Sequence, residues 1–356
     1  MKIAFFGSSL VSAYWNGAAT YYRGLIRALA DRGHSIRFFE PDVYDRQAHR
    51  DIPDPSWAEV IVYEADESEA ARALARASTA DLVVKTSGVG ALDRFLNRSV
   101  LAAQDTVTDV VYWDVDAPAT LERMTDNPDD PFRDLVPRYD AIFTYGGGPP
   151  VVDGYAEFGA AACHPIYNAL DPRTHHPVDP VERFEADLSF LGNRLPDREQ
   201  RVEEFFFEPA GRMADRRCLL GGSGWADKPR PDNVDFVGHV YTDDHNAFNC
   251  SAEAVLNINR QSMADYGYSP PTRIFEAAGA GACLISDDWK GIETFLEPGR
   301  EVLLAEDGDE VVRIVRELTP ERAAEIGRRA RARLIDEHTY EHRAAQLEAI
   351  LRGGDR

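Results

Sequence analysis

Two successive series of short apolar runs, separated by amphipathic stretches, organise the chain. In the first half, KIAFFG, SIRFFE, EVIVYE, DLVVKTSG, DVVYWDVD, AIFTYGG and ACHPIY are rich in β-branched and aromatic residues and read as strands. Helical patterns lie between several of them, clearest over 18–31, where Tyr21, Leu25 and Leu29 fall every four residues on one face. The stretch HPIYNALDPRTHHPVDP follows, with prolines at 165, 172, 177 and 180. Repeated proline breaks both helix and ladder, so an interdomain linker is expected here. A second series then begins with DLSFLG, RCLLGG, VDFVGH, EAVLNIN, ACLISDD and EVLLAED, with helical patterns at 198–207, 271–279 and 308–317. Residues 320–352 are almost all helical in pattern, with a break near 337–339. Strands alternating with helices imply parallel sheets covered on both faces. The expected fold class is therefore α/β, with two doubly wound, Rossmann-like domains, 1–168 and 169–336, and a final helix over 337–356. Such domains bind ligands outside the carboxyl ends of their strands, which sets the expected site in a cleft between the two sheets.

Charge narrows the partners. Lys plus Arg number 39 against 61 Asp plus Glu, a net charge of −22. That balance repels nucleic acid and anionic lipid, so an anionic substrate requires a local basic pocket. No apolar run approaches the ~20 residues that span a bilayer. The opening MKIAFFGSSL reads as strand and turn rather than a signal peptide, and the four scattered cysteines form no CxxC pair, so a cytoplasmic protein with buried thiols is expected.

Four constellations carry candidate chemistry. The loop from Gly7-Ser8-Ser9 to Asn16-Gly17 joins a strand to a helix, where small residues and a helix N-terminus favour an anion or a sugar hydroxyl. Its glycine spacing is not the dinucleotide fingerprint, and an ordinary strand-to-helix turn is the alternative. The second is Gly267-Tyr268-Ser269-Pro270-Pro271-Thr272, opening a helix that carries Arg273 and Glu276 three apart on one face. Amides at that helix start can bind a diphosphate, with Arg273 neutralising it and Glu276 accepting both hydrogens of a ribose diol; a surface ion pair is the plain alternative. The third is Asn193-Arg194 at a strand's carboxyl end, where Arg194 offers another cation to a diphosphate, whereas Arg198 and Arg201 read as helix-surface charges. The fourth is Asp114 and Asp116 in WDVDAP, as acceptor or sugar contacts; Asp116 reads equally as a general base or a helix N-cap. No metal is expected: His175-His176 has no third ligand nearby, and the acidic pairs at 129–130, 243–244 and 287–288 read as turns or strand ends.

SPPTRIFEAAGAGACLISDDWKGIETFLEPGREVLLAED, the preceding NVDFVGHVYTDDHNAFNCSAEAVLNINR, the linker HPIYNALDPRTHHPV, the first helix and WDVDAP together resemble the CgeB-like (spore-maturation type) glycosyltransferases, relatives of the retaining family-4 GT-B enzymes. The resemblance implies a GT-B fold and transfer of a sugar from a UDP-, GDP- or dTDP-linked donor to a glycan, small molecule or protein. It implies that Glu276 holds the donor ribose, that Arg194 and Arg273 lie near the diphosphate, and that the last helix crosses back to the first domain. No obligatory metal or cofactor is implied. Many family-4 relatives carry a second carboxylate eight residues before that glutamate, where this chain has Tyr268. An epimerase of sugar nucleotides and a non-catalytic carbohydrate-binding or coat-assembly protein are the rival readings.

Overall fold

In the computed structural model, which describes residues 1–14, 16 and 18–353, the first strand series closes into one parallel sheet. β1 (Lys2–Phe6), β2 (Ser35–Asp42), β3 (Glu59–Glu64), β4 (Leu82–Thr86), β5 (Asp109–Asp114), β6 (Ala141–Thr144) and β7 (Cys163–Pro165) lie in the order β3-β2-β1-β4-β5-β6-β7. The reversal beside β1 is the topological switch of a doubly wound sheet. Every residue of β4 is buried, as expected of a strand covered on both faces. Its one charged residue, Lys85, meets Asp93 Oδ1 at 2.7 Å.

The chain divides into two units, Met1–Tyr167 with Tyr340–Arg356, and Asn168–Thr339. In the first unit the final helix, Tyr340–Leu351, lies on the helix Ala19–Asp31. Gly24 makes this approach possible, because a Cβ there would stand 2.2 Å from the Tyr340 ring. Arg32 donates to both oxygens of Glu348, at 2.9 Å each, and His34 Nε2 lies 2.9 Å from the same carboxylate. Hydrogen bonds from Arg32 and His34 hold the Glu348 pKa down at about 2.

The second unit holds β8 (Ala186–Leu191), β9 (Cys218–Gly221), β10 (Val234–Gly238), β11 (Ala252–Asn257), β12 (Leu284–Asp287) and β13 (Leu303–Ala305), in the parallel order β10-β9-β8-β11-β12-β13. Phe190, Phe206, Phe207 and Trp225 anchor its core. The helical pattern over 198–207 is realised as an α-turn at Glu199–Val202, a π-turn at Glu203–Phe207 and an α-turn at Glu208–Arg212. Pro209 has no N–H for the carbonyl four residues back, and the wider π-turn accommodates the missing bond. The same segment buries Phe205, Phe206 and Phe207 in succession.

Candidate functional site

A cavity of about 300 Å³ opens in the second unit, beyond the carboxyl ends of β8, β9, β10 and β11. Its polar lining comes from Asn193 and Arg198 after β8, His239 after β10, His245, Asn257 at the end of β11, and Thr272, Arg273 and Glu276. The last three share one face of the helix Thr272–Gly279, while Ile274, Phe275, Ala277 and Ala278 bury the others. Pro271 occupies the N-cap position and offers no side-chain bond; Ile274 N donates to the Pro271 carbonyl at 3.2 Å, and the Thr272 and Arg273 amides are left to a ligand.

Two guanidinium groups dominate the site. Arg273 Nη2 donates to the Leu191 carbonyl at 3.0 Å, and Nη1 stands 3.3 Å from Glu276 Oε2. The side chains of Arg273 and Glu276 are only 14% and 15% exposed, so the alternative of a solvated surface pair fails. Arg273 Nε and Nη1 and Arg198 Nε are buried donors with no hydrogen-bond partner. Gly192 leaves the space Arg198 occupies, since a Cβ there would meet Arg198 Nη1 at 3.0 Å. Burial pushes the Arg198 pKa down, and the neighbouring Arg273 charge adds to the effect. Burial likewise lowers Arg273, against the pull of Glu276. For Glu276, burial alone would raise the pKa; Arg273 and the imidazoles of His175 and His245 outweigh it and hold the carboxyl below its ordinary range. Desolvated guanidiniums with unpartnered N–H donors beside a carboxylate form a receptor for an anion that also carries hydroxyl donors.

The remaining expected donor-side residues sit differently. Arg194 turns into Glu199, bonding it at 2.8 and 2.7 Å, and lies 3.2 Å from both oxygens of Asp227; it is not part of the cavity lining. Arg198, read from sequence as a surface charge, takes the place expected of Arg194. Asn193 does line the cavity, its Oδ1 accepting from Ser223 N at 2.9 Å. Gly267, Tyr268 and Ser269 stand outside the lining. Gly267, at φ +75°, ends the helix Gln261–Tyr266, and Tyr268 N donates to Lys290 O at 2.7 Å. The Lys290 ammonium lies 5.6 Å from the Tyr268 ring centre, and Ser269 is buried. Arg201 is also no surface charge: its Nη2 meets the fully buried Asp287, at the strand end expected of the 287–288 pair, at 2.7 Å.

The acceptor-side candidates belong to the first unit. Asp114 is fully buried; it accepts from Tyr155 Oη at 2.5 Å and from Asp116 N at 2.9 Å. Asp116 is exposed, lies beyond the end of β5, and stands at the N-cap of the helix Ala117–Asp126 without a side-chain capping hydrogen bond. Ser8, Ser9 and Asn16 are buried and bonded within their own neighbourhood: Ser8 Oγ to Asn16 Oδ1 (2.9 Å), Asn16 Nδ2 to Ser9 O (2.7 Å), and Ser9 Oγ to Glu40 (3.1 Å). Gly7 lies where a Cβ would strike the Phe38 ring at 2.4 Å. Gly17 lies outside the described residues.

A histidine pair escaped the sequence reading. His175, from the proline-rich segment, and His245, opening the helix His245–Ser251, converge on Glu276, with one ligand-capable atom of each residue within 4.8 Å of the others. Gly279 lets that segment pass closely over the Thr272–Gly279 helix, because a Cβ there would meet Leu170 at 2.3 Å and His175 Cβ at 3.4 Å. Burial lowers both imidazole pKa values despite the pull of Glu276. Separations of 70 residues between the histidines and 31 from His245 to Glu276 conceal the cluster from any local pattern.

Residues 198–349 match a family model described as glycosyl transferase-like. No curated protein matches the chain by sequence. Among solved structures it is similar to a sucrose-phosphate synthase from Thermosynechococcus elongatus, at 14% identity and TM-score 0.68, covering 99% of this chain and 98% of that one. It is similar to Anabaena HepE, solved in complex with UDP and glucose, at 15% identity and TM-score 0.67, over 99% of both chains. An α-glucosyltransferase in complex with UDP and a 13-mer DNA containing an HMU base matches at 11% identity and TM-score 0.71, again over 99% of both. The fold, two Rossmann-like parallel-sheet domains, is that of GT-B glycosyltransferases.

Proposed function

We propose that this chain is a glycosyltransferase that binds a nucleoside-diphosphate sugar in the cavity of its second unit and transfers the sugar to an acceptor. One observation carries the reading: Arg198 and Arg273, buried and with unpartnered donors, lie with Glu276 beside the free amides of a helix N-terminus. The diphosphate takes the two guanidiniums and the helix amides, and Glu276 accepts both hydrogens of the ribose diol. The cations stabilise the negative charge that develops on the departing diphosphate, which removes the need for a metal at that step. The UDP complexes of similar structures favour a UDP-linked donor, and a hexose as the sugar. With retention of configuration, the leaving oxygen takes the acceptor proton on the same face and no protein nucleophile is required. Asp116, exposed on the first unit, is the candidate to contact the acceptor or serve as its base. Asp114 is the positioning residue behind it, through the Asp116 amide. The motifs of the second half and WDVDAP support assignment to the CgeB-like type, with the cytoplasm as the proposed location; among the described residues no helix is long and apolar enough to cross a membrane.

Two results test this reading. Glu276→Gln is expected to weaken UDP binding by ~1.5–3 kcal/mol, because an amide offers one acceptor oxygen to two hydroxyl donors and lacks the charge. It also leaves the buried Arg273 facing a neutral group, so the melting temperature of the second unit falls as well. Calorimetric titration of UDP into both proteins decides; equal dissociation constants would remove Glu276 from the donor site. Chelation with EDTA is expected to leave the rate of sugar transfer within about twofold of the untreated enzyme, since the two arginines carry the charge stabilisation. Activity lost to EDTA and restored by Mn²⁺ or Mg²⁺ would refute that division of labour.

A further inference from the structure

We propose that His175, His245 and Glu276 bind a zinc-type transition-metal ion, and that this ion and the donor nucleotide exclude one another because both require the Glu276 carboxylate. The second half of the statement rests on the donor reading above; the first half does not. The three donors come from separate elements, yet one ligand-capable atom of each lies within 4.8 Å of the other two. Ligand atoms around a tetrahedral ion at ~2.0–2.2 Å stand roughly 3.3–3.6 Å apart, so closure requires shifts of about an ångström. Two imidazoles and one carboxylate are a recognised zinc donor set, and the nitrogen donors favour zinc over magnesium or calcium.

The hydrogen bonds fix which face each imidazole offers. His245 Nε2 lies 3.3 Å from the Val240 carbonyl, which can only accept, so Nε2 carries the hydrogen and Nδ1 the lone pair. That Nδ1 is buried with no hydrogen-bond partner. The Thr174 hydroxyl lies 3.1 Å from the Asp171 carbonyl and 2.9 Å from His175 Nδ1; with its one hydrogen on the carbonyl it accepts from Nδ1, and the lone pair of His175 is then on Nε2. Orientation of a ring by a carbonyl or hydroxyl behind it is the arrangement found behind metal-binding histidines. The three residues together thus offer two imidazole nitrogens and an anionic carboxylate. Arg273 offers Glu276 a contact at 3.3 Å that does not meet hydrogen-bond geometry, so the carboxylate retains capacity for a second cation. When the donor's ribose engages Glu276, the third ligand is withdrawn; when the ion is bound, the ribose loses its acceptor. The ion is on this account an inhibitor of transfer rather than a participant.

The test is calorimetric titration of zinc chloride into the full chain without nucleotide, for wild type, His175→Gln, His245→Gln and, as a control one residue away, His176→Gln. One strong site per chain is expected, weakened at least ~10-fold by either cluster substitution and unchanged by the control. Equal affinity in all four proteins would overturn the site. If a cluster variant does not fold, the cobalt(II) spectrum of the wild type decides instead: tetrahedral nitrogen and oxygen coordination supports the site, while thiolate charge-transfer bands or six-coordination overturn it. Repeating the zinc titration at saturating UDP is expected to weaken zinc at least ~10-fold. Binding of UDP without effect on zinc would overturn the exclusion. Failure of UDP to bind would refute the donor reading while the histidine variants still decide the metal site.

Discussion

Replacing Arg198 by methionine is expected to lower kcat by ~10²–10³-fold with little loss of stability. The magnitude is that of removing one preorganised donor from a group where charge develops during reaction. Stability is spared because methionine keeps an unbranched apolar stem and removes a cation that burial and Arg273 both disfavour. Arg194→Met is the matched comparison. Arg194 is committed to Glu199 and Asp227, so its replacement is expected to change kcat by less than about threefold while releasing the Glu199 carboxyl from its pKa of about 2. Steady-state kinetics with a UDP-sugar donor at saturation compares the two variants directly. A large loss for Arg194→Met with near-normal turnover for Arg198→Met would reverse the assignment.

That exchange of arginines shows where sequence reasoning stopped. The thirteen strands of the described residues lie where the apolar runs predict them, because runs of apolar, β-branched and aromatic residues mark a strand locally. The helix Thr272–Gly279 and the inward face of Arg273 and Glu276 were equally legible from spacing. Arg194 and Arg198 are four residues apart on a turn whose direction is set by contacts elsewhere. Gly192 makes the room that Arg198 fills, and Glu199 and Asp227 draw Arg194 away. No periodicity encodes this competition between carboxylates.

The same holds for the buried polar groups. In the first loop, Ser8, Ser9 and Asn16 look like ligand contacts because small polar residues suit such loops, yet their hydrogen bonds go to one another and to Glu40. Glu40 is 24 residues beyond Asn16, at a strand position that sequence marks only as an acid among aromatics. His175 shows the reverse case: set aside for lack of a further ligand nearby, it gains His245 and Glu276 through the fold. Long-range polar pairing, rather than secondary structure, is the information a single sequence withheld here.

Arg201 is the clearest instance, and its removal is expected to be the largest single loss of stability in the second unit. Asp287 is fully buried at the end of β12; Arg201 Nη2 lies 2.7 Å away, and its remaining partners are neutral, with Asn259 N at 3.2 Å from each oxygen and Ser286 Oγ at 3.3 Å. Arg201→Met leaves that carboxylate without a counter-charge, which costs ~3–5 kcal/mol for a buried pair broken on one side. Burial already raises the Asp287 pKa against the pull of Arg201, and the substitution raises it further. A carboxyl with a raised pKa binds its proton more tightly when folded, so stability falls as pH rises from the unfolded value of ~3.9 through the folded one. The deficit of the variant is therefore smallest in acid and grows toward neutral pH. Adding Asp287→Asn removes the stranded charge at nearly constant volume, and the double variant is expected to recover most of the loss and to shed the pH dependence. Asn259 connects this pair to the donor cavity, because its amide holds the segment just beyond Asn257 and Ile258, both of which line it. UDP affinity is accordingly expected to fall with Arg201→Met and to return in the double variant. Urea denaturation of the three proteins across pH makes the comparison; an Arg201→Met protein within about 1 kcal/mol of wild type at neutral pH would show that the neutral donors alone suffice for Asp287.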